Sequence, residues 1–208
     1  MWRRRPFKEG EFDRGPGFRL PPPSQRGAIS VEEAISRRRS VRRYGRDSLA
    51  LSHLSQILWS AQGVTSPRGL RAAPSAGATY PLEVYVVVGK AGVEGLEEGV
   101  YHYNAENHSL YLHKGGDLRG ELATAALDQE FIAEAPVDII ICALYERTAW
   151  RYGRRAERYV HMEVGHVGEN IHLQAAALGL AVVMVGAFYD EEVSRVMELE
   201  REAKPLYI

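Results

Sequence analysis

Residues 137–144 read as one continuous apolar run, the pattern of a strand buried on both faces. A strand of that kind must pair its backbone on both sides, so it requires a sheet around it. Leu82-Glu83-Val84-Tyr85-Val86-Val87-Val88, rich in β-branched and aromatic residues, supplies a second strand. Residues 181–185 predict a further buried strand, and Pro205-Leu206-Tyr207-Ile208 the start of a last one. Val100-Tyr101-His102-Tyr103 and Leu110-Tyr111-Leu112-His113 flank Asn104-Ala105-Glu106-Asn107, which predicts a hairpin. Helical signals lie between these runs. Ser30 with Glu33 forms a capping box that opens a helix to about Arg39. Leu54, Ile57, Leu58 and Ala61 mark the buried face of a helix over 52–62, ended by Gly63. Further helices are expected over 117–127 (capped by Asp117), 159–178 (stopped by Gly179) and 190–200. The order gives an α+β domain around one sheet.

With 208 residues the chain suits one domain with its own core. Residues 1–28 form an Arg-, Gly- and Pro-rich arm, read as extended and either loose or docked across a partner. Residues 29–208 form the folded domain. A formal charge of -1 offers no bulk attraction to nucleic acid or acidic lipid. No apolar run approaches membrane-spanning length, and no apolar stretch follows the basic start as a secretory signal requires. The single Cys142 reads as a buried thiol in a reducing compartment, so the expected location is the cytoplasm.

Arg37-Arg38-Arg39-Ser40-Val41-Arg42-Arg43-Tyr44 gathers guanidiniums and a hydroxyl at the end of the first helix. This set can hold a phosphate bidentately, or it can be a solvated helix end favoured by the dipole. Pro74-Ser75-Ala76-Gly77 is a small-residue loop, either a turn or a close backbone approach to a flat ligand. Neither a Gly-x-Gly-x-x-Gly nucleotide loop nor a Walker A loop occurs, which disfavours Rossmann and P-loop chemistry. Glu163/His166 and Glu169/His172 have metal-ligand spacing but lie about 240° apart around one helix, so no metal site is expected. Arg151-Tyr152-Gly153 precedes that helix as a segment that either covers a substrate or is plain surface.

Taken in order, the motifs converge. Arg38-Arg39-Ser40-Val41-Arg42, Ala73-Pro74-Ser75-Ala76-Gly77, Ala135-Pro136, Glu163-x-Gly165-His166-x-x-x-Asn170, Ala177-Leu178-Gly179-Leu180 and Val185-Gly186-Ala187-Phe188 resemble the nitroreductase superfamily. Within it they resemble the SagB-type dehydrogenase branch, from about Ile29 onward. The resemblance implies a nitroreductase-like mixed sheet flanked by helices and a homodimer holding FMN at its interface. It also implies oxidoreductase chemistry by ping-pong hydride transfer through flavin N5. NAD(P)H, a small molecule or a peptide would be the substrate, and a non-catalytic flavin store or sensor is the alternative. It places FMN contacts on Arg38, Arg39, Ser40 and Arg42, on Pro74, Ser75 and Ala76 from the partner subunit, and on Gln129, Met184, Val185 and Gly186. Tyr152 is the candidate catalytic residue. Ala78 stands where many relatives carry an amide, and Arg151 where azoline oxidases carry a lysine; an arginine cannot act as that base. The family pattern also sets a basic residue beyond its last strand. Either residues past Ile208 supply it, or Arg42 and its neighbours bind more of the phosphate.

Overall fold

The computed structural model describes residues 15–208. Six strands form one sheet in the order β1-β4-β3-β2-β5-β6: β1 (Phe18–Arg19), β2 (Leu82–Val88), β3 (Gly99–Asn104), β4 (Ser109–Gly115), β5 (Val137–Ala143) and β6 (Lys204–Tyr207). Every ladder between them is antiparallel, which corrects the expectation of a mixed sheet. The reason is the connectivity. The β3–β4 hairpin leads back into a helical excursion that delivers β5 to the free side of β2, running against it, so no βαβ crossover forms.

The helices are α1 (Val31–Arg37), α2 (Leu51–Gln62), α3 (Arg119–Ala125), α4 (Glu130–Glu134), α5 (Glu146–Tyr152), α6 (Ala156–Leu178) and α7 (Asp190–Met197). The α4 and α5 helices fall in stretches with no predicted helix. Alternation along β5 sorts its side chains between two layers. Ile140 and Cys142 join α3, α4 and α7 on one face, while Ile139, Ile141 and Ala143 join α2 and α6 on the other.

Several local expectations need correction. The Ser30 hydroxyl accepts from the Glu33 amide at 3.2 Å as predicted, but α1 ends at Arg37 rather than Arg39. Gly63 ends α2 in an extended conformation (φ -60°), not a left-handed one. Its missing side chain matters because a Cβ there would lie 2.3 Å from the Trp59 ring. Asp117 lies one residue before the N-cap Leu118 of α3. Its carboxylate instead binds Arg119 and the Lys90 amide, and the hydrogen bonds from Arg119 hold its pKa at about 2. Residues 181–185 form no strand, because only isolated backbone bonds reach them: Val185 with Ile208, at 2.7 and 3.0 Å, and the Val182 carbonyl with the Val41 amide.

The described part of the arm lies on its own chain. Phe18 and Arg19 pair with β4, Leu20 is buried, and the Ser24 amide donates to Gln56 Oε1 at 2.8 Å. Residues 18–24 of the arm thus have anchors on their own chain, and residues 1–14 lie outside the described residues. No described helix is long and apolar enough to cross a membrane.

Candidate functional site

The predicted site residues assemble into two groups. In the first, Arg38 closes α1 by donating its amide to the Ala34 carbonyl at 2.9 Å. The chain then straightens, and the Val41 amide donates to the Val182 carbonyl at 2.9 Å. That bond ties the arginine run to the segment that leads into Met184, Val185 and Gly186. Arg39, Ser40 and Arg42 are exposed, and the Arg42 guanidinium lies over the Phe131 ring at 5.7 Å. Among the described residues no carboxylate forms an ion pair with Arg38, Arg39 or Arg42. Three guanidiniums within five residues thus keep their charge open to an anion. Gln129 donates its amide to the Ala126 and Ala187 carbonyls at 2.7 and 2.9 Å, which braces the turn after Gly186. His172 of α6 is buried nearby, and burial together with the Arg38 charge lowers its pKa.

The second group surrounds Pro74-Ser75-Ala76. The Ser75 hydroxyl accepts from the Tyr80 amide at 2.9 Å, and the Ser75 carbonyl from the Ala78 amide at 3.0 Å. The turn carries positive φ at Gly77 (59°), Ala78 (51°) and Tyr80 (44°), a strained path for the two non-glycine residues. Gly77 faces α5 so closely that a Cβ there would lie 2.5 Å from the Tyr152 hydroxyl and 3.1 Å from Arg151 Cζ. Tyr152 is itself set edge-on against Tyr159, with ring centroids 5.0 Å apart.

Buried charge holds this loop. Arg147 donates to the Tyr80 carbonyl at 3.3 Å and pairs with Glu83. Glu83 Oε2 lies 2.7 Å from His102 Nε2. Burial alone would push the Glu83 carboxyl up, but the His102 hydrogen bond and the Arg147 charge bring it below the usual range. Thr79 and Thr148 share a hydrogen bond of 2.8 Å, and the Arg71 guanidinium covers the Tyr80 ring at 4.7 Å.

The α6 helix separates the groups. Tyr159, near its start, touches the loop side, and His172 touches the arginine side. Thirteen residues of helix span roughly 20 Å, so one chain does not bring its two groups together. Along α6, Glu163 and His172 are buried while His166 and Glu169 are exposed, which divides the candidate metal-ligating residues between inside and outside.

The sequence reading missed the Glu83–Arg147–His102 network, whose partners are distant in the chain. It also missed Asp138, which breaks the apolar run of β5. Asp138 is buried, and its Oδ2 has no hydrogen-bond partner. Tyr44 sits close by; burial and the Asp138 charge raise its pKa to about 12.

The pattern of the nitroreductase family matches residues 35–208. A nitroreductase-like protein of Methanocaldococcus jannaschii is 52% identical over 172 residues, which cover 83% of this chain and 86% of that one. The microcin B17-processing protein McbC of Escherichia coli is a more distant relative, 25% identical over 178 residues, with 78% of this chain and 62% of McbC covered. A crystal structure of a nitroreductase-like protein from Ralstonia eutropha superposes with a TM-score of 0.79 at 28% identity, covering 95% of this chain and 88% of the other.

Proposed function

The chain belongs to the nitroreductase family, whose members are typically dimeric flavoproteins, and on that premise we propose that it is an FMN-dependent oxidoreductase acting as a homodimer. The observation that carries this reading is the division of the site along α6. A two-fold partner with its α6 antiparallel sets the Ser75 loop of one copy against the arginine group of the other, and symmetry then makes two equal sites. The exposed Gly165 stands where a side chain would keep a second backbone away; a Cβ there meets nothing within 4 Å in the single chain.

The residues fit the cofactor. Arg38, Arg39 and Arg42, with the Ser40 hydroxyl, present unneutralised donors to the phosphate. Met184, Val185 and Gly186 border the isoalloxazine, and the exposed Gly186 leaves its backbone N–H open to the ring edge. Pro74, Ser75 and Ala76 of the partner subunit approach with small side chains. Gln129 serves first to hold the turn after Gly186. When bound, FMN supplies two-electron transfer through N5 in a ping-pong cycle fed by NAD(P)H or another small-molecule or peptide donor. Tyr152 lies over the Ser75 loop, which sets its hydroxyl on the substrate side of the partner's flavin, where it can hold or deliver a proton.

The test is the visible spectrum after incubation with FMN and desalting. Retained flavin bands that NADH or NADPH bleaches support the reading. Retained flavin that no donor reduces turns it toward a store or sensor, and no retained flavin removes it.

A further inference from the structure

A groove of about 540 Å3 lies along the start of α6, lined by Arg154, Glu157, Arg158, His161 and Met162. All five residues are exposed. Among the described residues no carboxylate forms an ion pair with Arg154 or Arg158; Glu157 shares the groove and pairs with neither. Side chains three apart on a helix are neighbours, so Arg158 and His161 stand together. His161 is also held in place. Its Nε2 lies 2.7 Å from the Tyr145 hydroxyl, and the two rings meet edge-on. With that hydroxyl donating, the ring proton stands on Nδ1, which has no partner among the described residues. The groove therefore offers two guanidiniums and an imidazole N–H.

Its place links it to the flavin site. Tyr159, beside Arg158, packs edge-on against Tyr152, whose hydroxyl abuts Gly77 of the Ser75 loop. At about 100° per residue, Arg158, His161, Met162 and Gly165 fall within an arc of roughly 100° around α6. In the antiparallel pair they face the partner, and the start of one α6 looks toward the end of the other, on the side of Arg38, Arg39 and Arg42. Positive groups brought together in this way repel one another unless anions lie between them. A phosphate monoester carries about two negative charges. The FMN phosphate is thus already offset by Arg38, Arg39 and Arg42, and the charge of Arg154 and Arg158 is left for a second anion.

A guanidinium meets two phosphate oxygens at once, and a monoester presents three. Two arginines and an imidazole N–H suit that group better than a carboxylate with its two oxygens. The groove has the size of a ligand pocket, roughly 300–1,000 Å3. Met162, 54% exposed, supplies an apolar surface for a ring attached to the phosphate. We propose that the groove is a subsite for a phosphate monoester carried by the molecule that exchanges electrons with the partner's flavin. The inference rests on the flavin reading for the role of that molecule, and not for the phosphate chemistry. The phosphate arrives either on a nicotinamide donor, as the additional ribose phosphate of NADPH, or on a phosphorylated acceptor.

Binding is measured first, by calorimetric titration of 4-nitrophenyl phosphate into the full chain carrying Arg38→Ala and Arg42→Ala, which removes the FMN phosphate contacts. One molecule per chain is expected to bind. Adding Arg154→Gln and Arg158→Gln should weaken that binding by about tenfold to a hundredfold. No binding, or binding that survives the two glutamines, overturns the proposal. The second measurement uses FMN-loaded protein with Arg38 and Arg42 in place. Flavin bleaching that favours NADPH over NADH by about tenfold or more assigns the phosphate to the donor. A kcat/KM higher by a similar factor for 4-nitrophenyl phosphate than for 4-nitroanisole assigns it to the acceptor. Either preference should vanish with Arg154→Gln and Arg158→Gln while FMN is retained. The proposal is overturned if neither preference exists, or if those two substitutions release FMN, since the groove would then serve the cofactor's own phosphate. A wild-type chain that retains no FMN overturns the flavin reading and the redox role together, whereas the titration still decides the phosphate site.

Discussion

The two halves of the site are built on different principles. The Ser75 loop is fixed from beneath by charge and hydrogen bonds that water does not reach: Arg147 on Glu83 and on the Tyr80 carbonyl, His102 on Glu83, and Thr79 on Thr148. The arginine stretch after α1 is tied to the Met184 segment by one backbone bond, Val41 to Val182, and Arg38, Arg39 and Arg42 have no carboxylate partners among the described residues. A preorganised half can hold strained backbone such as Ala78 and Tyr80, because the surroundings over-determine it. An open half keeps its charge for the ligand. Stability should therefore reside in the first and cofactor affinity in the second.

The largest effect that would break this contrast is at Glu83. Glu83→Leu leaves Arg147 buried without its counter-ion and should cost about 3–5 kcal/mol in chemical denaturation. Glu83→Leu combined with Arg147→Met should recover much of that loss. A double variant as unstable as the single would show that packing, not charge, holds the loop.

Next come the arginines. Arg38→Ala and Arg42→Ala should each weaken FMN binding by about tenfold to a hundredfold, in line with roughly 1.5–3 kcal/mol for a charged hydrogen bond. Unfolding free energies should move by no more than about 0.5 kcal/mol, as for surface changes. A large stability loss would erase the distinction between the halves.

Gly77→Ala sharpens the comparison within the rigid half. It places a Cβ at positive φ and against the Tyr152 hydroxyl, so a loss of about 1–3 kcal/mol is expected, with Tyr152 displaced. Turnover should fall more than FMN affinity in that variant; equal losses would place Tyr152 outside the chemistry.

The smallest effect concerns the arm. His108 hydrogen-bonds Ser55 and Tyr103 and donates to the Pro21 carbonyl, and burial lowers its pKa, with the Pro21 bond opposing. The folded state therefore takes up its proton less readily than the unfolded chain. The stabilisation is complete above the ordinary histidine pKa of about 6.5 and declines as pH falls below it. Hydrogen exchange at the Leu20 amide, bonded to the His108 carbonyl at 3.1 Å, should quicken below that pH before the core responds.

How much of this was legible in the sequence follows the range of the interactions. Strands β2 to β5 and helices α2 and α6 announce themselves through local patterns of apolar residues, because burial on one or two faces imposes a period. The arginine run and the Ser75 loop are contiguous, so their residues could be named in advance. The Glu83–Arg147–His102 cluster could not, since each member looks like an ordinary surface residue until β2, β3 and α5 meet. The segment 181–185 has strand composition, yet composition does not supply a ladder, and only isolated bonds form, Val182 with Val41 and Val185 with Ile208. Asp138 stands as a charge inside an apolar run, but that it is buried with Oδ2 lacking a hydrogen-bond partner only the packing reveals.

The central claim, that each flavin site is assembled from two copies, is tested most directly by mixing two damaged forms. Arg38→Ala with Arg42→Ala disables the phosphate half, and Ala76→Glu sets a carboxylate in the loop half. Each form alone should retain no FMN. Unfolded together in equal amounts and refolded, half the dimers carry one of each, and each of those has one intact site, so about a quarter of all sites should regain FMN. No recovery from a properly refolded mixture would mean that both halves serve the same chain's cofactor, contradicting the account.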